Sequence, residues 1–113
     1  MIILKAIEFR LNKEGYEVIA AGDGREAINI IKEKEPDLVI TDIMMPFITG
    51  LEIVDFVKTK SAKKSPVIVL SAVGLEKTVL EAFELGADDF ITKPFSPNEL
   101  AVRVKRLLSR KPQ

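Results

Sequence analysis

Three polar residues close three apolar runs: Asp42 after Leu38-Val39-Ile40-Thr41, Ser71 after Val67-Ile68-Val69-Leu70, and Lys93 after Phe90-Ile91-Thr92. If the runs are neighbouring parallel strands, the three side chains emerge at one edge of one sheet, in one crevice. An aspartate there can attack phosphorus as a carboxylate nucleophile, a hydroxyl can hydrogen-bond a phosphoryl oxygen, and an ammonium can offset its charge. Phosphoryl transfer asks for little beyond such positioning and charge compensation, plus Mg²⁺. Each residue alone also has a plainer reading. Asp42 can start the turn at Met44-Met45-Pro46, Ser71 can bond its own backbone, and Lys93 can be a solvated surface lysine. The joint placement, one residue per strand end, is what favours the chemical reading.

The elements that must position them alternate along the chain. Tyr16 to Ala21 reads as a short strand ended by Gly22-Asp23-Gly24, and Arg25 to Glu33 as a helix with Ala27, Ile28, Ile30 and Ile31 on a 3.6-residue period. Leu38 to Thr41 is continuously apolar, as in a parallel strand covered on both faces. Thr49-Gly50-Leu51-Glu52 is a helix start, with Thr as cap and Glu three residues on, and Ile53, Val54, Phe56 and Val57 form its buried face. Val67 to Leu70 is the next strand. Leu75 to Leu85 is a helix stopped by Gly86, and Phe90 to Thr92 is a last short strand. The final helix opens at Ser96-Pro97-Asn98-Glu99 and turns Leu100, Val102, Val104, Leu107 and Leu108 inward. At the other end, MIILKAIEFRL reads as a helix, with Ile3, Ile7 and Leu11 sharing a face with Leu4 and Gly15 as terminator. Strands and helices alternating in this way imply right-handed βαβ units and a doubly wound parallel sheet, with ligands at the carboxyl ends of the strands.

Composition removes other chemistries. The 113 residues suit a single domain, residues 1–113, and contain neither cysteine nor histidine. Disulfide frameworks, thiolate or imidazole metal sites and Ser-His or Cys-His nucleophiles are therefore excluded. Seventeen basic and seventeen acidic side chains cancel, so no nucleic-acid arm and no polybasic membrane patch is expected. No apolar run is long enough to span a bilayer, and no signal-peptide pattern opens the chain, so a cytoplasmic protein is the expectation.

One competing pattern is Gly22-Asp23-Gly24-Arg25-Glu26-Ala27, which fits the dinucleotide fingerprint and is trailed at about twenty residues by an acid, Asp42. Two mononucleotide-binding halves do not fit in this length, and the fingerprint leaves Ser71 and Lys93 unexplained. The glycines are better read as turn and cap residues.

Through KEGYEV, PDLVITDIMMP, TGLEI, PVIVLSA, LGADDFITKPFSPNEL and the last helix, the sequence resembles the receiver domain of two-component response regulators. The resemblance implies a flavodoxin-like sheet of order 2-1-3-4-5 and a signalling switch rather than an enzyme. Carried over by position, Asp42 matches the phosphoacceptor, Ser71 the switch hydroxyl, Phe90 the aromatic switch, Lys93 the phosphate-facing lysine, and Pro94 the proline after a cis peptide. Ala72 matches the small residue that leaves the phosphate accessible, and the Met44 backbone carbonyl would contact Mg²⁺. The partners implied are a histidine kinase or phosphotransfer protein and a downstream effector. An aspartate-nucleophile phosphatase would want a second carboxylate two residues after Asp42, where Met44 stands.

Two departures bear on activity. The loop after Asp42, usually similar to MMPGMDG, contains Phe47 and Ile48, which are expected to expose apolar surface that shapes kinase choice or contacts another chain. The family's first strand, with its acidic Mg²⁺-binding pair, would fall before Met1, because the helix that follows it already ends at Gly15. Asp88 and Asp89 lie at the opposite edge of the sheet, and Asp23 is on the strand beside the missing one. The expected metal site is thus incomplete, with weak or absent Mg²⁺ and little phosphorylation by small phosphodonors. A non-phosphorylated interaction module of receiver shape is the alternative. The missing strand would leave a gap of roughly 9.6 Å between Tyr16 to Ala21 and Leu38 to Thr41. It would be closed by direct pairing of those two segments, by MIIL becoming a strand, or by a strand from a second copy, the last favouring a homodimer.

Overall fold

Apolar period and capping chemistry coincide at most of the helices, and there the chain folds as its sequence directs. The structure, a computed structural model, describes residues 2–44, 48–72, 74 and 76–109. The elements are α1 (Ile2–Lys13), α2 (Gly24–Lys34), β1 (Val39–Asp42), α3 (Gly50–Asp55), β2 (Val67–Ser71), α4 (Glu76–Glu84), β3 (Asp89–Thr92) and α5 (Pro97–Ser109). Tertiary contacts gather them into two units, residues 21–94 and residues 1–20 with 95–113.

In the unit of residues 21–94 the sheet is parallel, in the order β1-β2-β3 among the described residues. All five residues of β2 are buried, which is why its sequence is continuously apolar rather than alternating. Val67 and Val69 point to one face, where they meet Ile31 of α2, Ile53, Val54 and Val57 of α3 and its last turn, and Val79 and Ala82 of α4. The helices are fixed at their ends. Asp23 caps α2 by accepting the Glu26 N–H at 3.0 Å, and Thr49 caps α3 by accepting that of Glu52 at 3.3 Å. Gly86, at φ +110°, takes the left-handed conformation that stops the chain after α4. Beyond Asp55, α3 continues over Phe56–Lys60 in a wider turn, in which the Ser61 N–H reaches the Phe56 carbonyl five residues back. At the amino end of the sheet Lys58 bonds Asp88 at 2.8 Å and the Ser65 carbonyl at 3.0 Å, while Asp88 also accepts the Val67 N–H.

In the other unit, α1 packs on α5. Ile7 and Leu11 are buried on α1, and Leu100, Ala101, Val104 and Leu107 on α5. Arg10 bridges the two helices through the Asn98 side-chain oxygen and also pairs with Glu14. Ser96 caps α5 by accepting the Glu99 N–H at 3.1 Å, and Gly15, at φ +96°, ends α1. MIILKAIEFRL is therefore helical from Ile2, and MIIL does not become a strand; the side chains of Ile3 and Leu4 lie outside the described residues.

Three sequence expectations need correction. Tyr16 to Ala21 is not a strand: the segment enters no ladder, and Ile19 is largely exposed. Side-chain propensity can extend a backbone, but a strand exists only with a neighbour to share its hydrogen bonds. Nor does that segment pair with β1, whose one strand neighbour among the described residues is β2. Val102 does not turn inward on α5 but is 66% exposed. Two residues from both Leu100 and Val104, it is rotated about 200° from each, onto the opposite side of the helix. Ile48 is not openly exposed either; it is half-buried against the α2–α3 core and touches Gly24, while Phe47 lies outside the described residues.

Gly50 shows how tightly this packing reaches the end of β1. A Cβ built there would stand 2.4 Å from the Asp42 carbonyl oxygen and 2.7 Å from Ile43 Cα. Both are backbone atoms that no rotamer change can move aside. Gly50→Ala is expected to lower the unfolding free energy by about 2 kcal/mol in urea titration. An unchanged midpoint would show that the contact relaxes freely.

Candidate functional site

The strand register determines which side chains meet. Asp42 of β1 lies opposite Leu70 of β2, and Ser71 lies opposite Thr92 of β3. Each strand thus hands on to the next with an offset of one residue, so that Asp42, Ser71 and Lys93 sit at successive strand ends on the carboxyl edge. The ladder continues past the strands, with the Ile43 N–H on the Leu70 carbonyl at 2.9 Å and the Lys93 N–H on the Ser71 carbonyl at 2.7 Å.

At that edge Asp42 and Lys93 meet across 51 residues of sequence. The Lys93 ammonium is ion-paired with Asp42 Oδ2, and the Met44 N–H donates to Asp42 Oδ1 at 3.2 Å. Both carboxylate oxygens therefore have a donor. The two side chains remain about one-third exposed, 32% for Asp42 and 36% for Lys93, so the site is open to an incoming group. Ser71 is buried, and its hydroxyl donates to the neighbouring Ala72 carbonyl at 3.0 Å rather than to Asp42. The structure thus joins Asp42 with Lys93 directly and Ser71 with Lys93 through the main chain. Ala72 is exposed at the mouth, and the Lys93-Pro94 peptide bond is cis.

Beside Ser71, a cavity of about 290 Å³ opens between α4 and β3, lined by Val79, Leu80, Phe83 and Phe90 among others. Phe90 is partly exposed and stands edge-to-face with Phe83, ring centroids 5.6 Å apart at 86°. The contact of Phe83 with the Phe90 ring has no signal in the sequence beyond the place of Phe83 on a helix. Thr41, which its sequence marks only as part of an apolar run, is buried and donates its hydroxyl to the Asp42 carbonyl at 3.0 Å. Gly50, legible only as part of a helix start, proves to be the close neighbour of that same carbonyl.

Mg²⁺ needs oxygen ligands with free lone pairs. Among the described residues no three metal-ligating side chains gather at one point, and the residues outside the description contain no aspartate or glutamate. Asp23 spends Oδ1 on the α2 cap, and Asp88 is bound to Lys58. What stands at the edge is Asp42, whose two oxygens are shared with Lys93 and the Met44 N–H. One carboxylate is the lower limit of what Mg²⁺ uses, so these side chains fit a resident Mg²⁺ poorly. The fingerprint Gly22-Asp23-Gly24 does not fit a pyrophosphate either, because the Gly22 N–H is taken by Glu26 at 3.1 Å and Gly24 lies against Ile48.

The comparisons with known proteins agree with this architecture. The family model for the response regulator receiver domain matches residues 1–105. The receiver domain of NtrX from Brucella abortus is similar at 32% identity and a TM-score of 0.88, over 96% of this chain and 92% of that one. A putative response regulator from Chloroflexus aurantiacus is similar at 36% identity and 0.89, over 96% and 90%. The signal receiver domain of a histidine kinase from Syntrophus aciditrophicus is similar at 34% identity and 0.86, over 99% and 88%. Receiver domains are signalling modules of two-component systems and bind Mg²⁺ at an acidic site. With the matched residues taking in the whole carboxyl edge from Asp42 to Lys93, the chain belongs to the response regulator receiver domain family.

Proposed function

We propose that residues 1–113 act as one receiver module in which Asp42 accepts a phosphoryl group from the phosphohistidine of a histidine kinase or phosphotransfer protein. The observation that carries the proposal is the Asp42–Lys93 ion pair at the carboxyl edge of a parallel sheet, with Ser71 on the strand between them. A carboxylate oxygen of Asp42 attacks phosphorus. The phosphorus–nitrogen bond breaks, and the electron pair stays on the imidazole nitrogen, which takes up a proton. The Lys93 ammonium then faces phosphoryl oxygen in place of carboxylate oxygen, and the Ser71 hydroxyl has a stronger acceptor than the Ala72 carbonyl. Phe90 is the aromatic group that changes place, and its surroundings on α4 and β3 form the surface presented to a downstream effector. Mg²⁺ is held weakly, since the one carboxylate at the edge is already engaged. Among the described residues no helix is long and apolar enough to cross a membrane, and we place the protein's work in the cytoplasm with its phosphodonor.

Phosphoramidate, a small phosphorus–nitrogen donor, is expected to add one phosphoryl group slowly, detected by intact mass, and Asp42→Asn to add none. Unmodified wild-type protein would instead leave an interaction module that works without phosphorylation. A double-mutant cycle of Asp42→Asn and Lys93→Gln in urea is expected to give a coupling below about 1 kcal/mol, because a partly exposed pair is screened by water. A coupling of several kcal/mol would show that the pair holds the fold together.

A further inference from the structure

The Lys58–Asp88 ion pair just before β3 is more deeply buried than the Lys93–Asp42 pair just after it. Lys58 and Asp88 are 19% and 17% exposed, about half the exposure of the other two. Lys58 stands in the wide turn Phe56–Lys60, where the Thr59 hydroxyl donates to the Asp55 carbonyl at 2.7 Å and the Ser61 N–H to the Phe56 carbonyl at 2.9 Å. Its stem passes Gly86, where a Cβ would meet Lys58 Cγ at 3.0 Å. Its ammonium donates to Asp88 Oδ2 at 2.8 Å and to the Ser65 carbonyl at 3.0 Å. Asp88 in turn grips Val67, the first residue of β2, twice. Oδ2 accepts the Val67 N–H at 2.9 Å, and the Asp88 N–H donates to the Val67 carbonyl at 2.9 Å. The start of β2 and the approach to β3 are thus clamped around one charge, which is costly to leave buried without its partner.

The apolar pattern of β3 holds its register only in part. Of its four residues only Ile91 is buried, and its neighbour Phe90 is apolar too. Moving β3 one residue along β2 in one direction seats Phe90 in the place of Ile91, which the apolar pattern allows. The same movement puts Ala87 in the place of Asp88 and leaves the Lys58 ammonium without its carboxylate. Movement the other way brings Asp89 to Lys58 but seats Thr92 in the place of Ile91, burying a hydroxyl. The clamp therefore opposes the slip that the core permits, and the core opposes the slip that the clamp permits. Asp88 precedes Lys93 by five residues. A one-residue movement carries Lys93 about 3.3 Å along the sheet, far enough to part it from Asp42.

We infer that Lys58 and Asp88 are positioning residues for the opposite edge of the sheet: their clamp on Val67 sets the register of β3 on β2, and with it the reach of Lys93 to Asp42. The clamp itself does not depend on what Asp42 does. Its bearing on phosphoryl transfer rests on Asp42 being the acceptor as proposed above.

Amide hydrogen exchange on the full chain, followed by two-dimensional NMR, separates positioning from general stability. The Asp88 and Lys93 amides donate to the Val67 and Ser71 carbonyls of β2, and the Ile43 amide donates to the Leu70 carbonyl from the β1 side. In Lys58→Met the first two are expected to exchange about tenfold faster or more, while the Ile43 amide changes less than about threefold. An equal rise at all three would show a contact that only stabilises the fold, and no rise would show no clamp; either overturns the inference. The side-chain carboxyl carbon signal of Asp42 reads the other edge. It is expected to move in Lys58→Met toward its position in Lys93→Gln, and to return in Lys58→Arg, which keeps the charge. A signal that stays at its wild-type position would overturn the link to Asp42. Should Lys58→Met not fold, Asp88→Asn, which removes the charge and keeps an acceptor for the Val67 N–H, is read in the same way. Incorporation from phosphoramidate is expected to slow about threefold or more in the same variant, a barrier higher by under 1 kcal/mol at the lower limit. An undiminished rate would overturn the bearing on transfer. A wild-type chain that takes up no phosphoryl group would overturn the acceptor reading alone, and the exchange rates and the carboxyl signal would still decide the clamp.

Discussion

The parallel register of β1, β2 and β3 is the constraint on which the site depends. Antiparallel strands would put Asp42 and Ser71 at opposite edges. In the observed register Asp42 faces Leu70, Ser71 faces Thr92, and Lys93 follows immediately. A slip of β1 by one residue would turn Asp42 to the other face of the sheet and bury or expose the wrong half of its neighbours. All five residues of β2 are buried, so the central strand of the sheet lies in the core. The charge at the rim is carried on a ladder anchored there.

The rim is reinforced from below. Thr41 bonds the Asp42 carbonyl, Gly50 lets the start of α3 approach it, and Thr49 caps that helix. Three adjoining features thus hold the backbone of Asp42, while among the described residues its side chain is held by Lys93 and the Met44 N–H. The division suits a group that exchanges partners. The main chain is immobilised by contacts that would cost much to break. The side chain is restrained by a partly exposed ion pair, an interaction that in water contributes little to stability.

Legibility in the sequence followed the range of the interaction. Caps at Thr49 and Ser96 and the stops at Gly15 and Gly86 involve neighbours within a few residues, so local sequence is sufficient to show them, whereas the cap of α2 is Asp23 and not the glycines beside it. Continuous apolar runs revealed β1 and β2, because burial on both faces leaves a compositional mark. Tyr16 to Ala21 was misread for the opposite reason: being a strand is a property of the partner, and local composition carries no information about it. Val102 stands two residues from both Leu100 and Val104, a spacing that puts it off their face of a helix. Strand ends alone place Asp42, Ser71 and Lys93 at one edge, whereas the edge-to-face contact of Phe83 with Phe90 joins a helix to a strand and leaves no trace in the spacing of either.

Ser71 illustrates why a resting contact can look structural and still serve a switch. Its hydroxyl is buried and bonded to the Ala72 carbonyl, which satisfies the donor that burial would otherwise penalise. Ala72 is exposed, so water can replace the hydroxyl at its carbonyl. Turning the hydroxyl toward a phosphoryl oxygen therefore strands neither group, and it exchanges a neutral hydrogen bond for a charge-assisted one, which is roughly twice as strong. The same residue lines the cavity against which Phe90 leans, and its carbonyl holds the Lys93 N–H. In the proposed switch, a change at Asp42 would reach the aromatic edge through Ser71, which lies between Asp42 and Phe90 in the strand order.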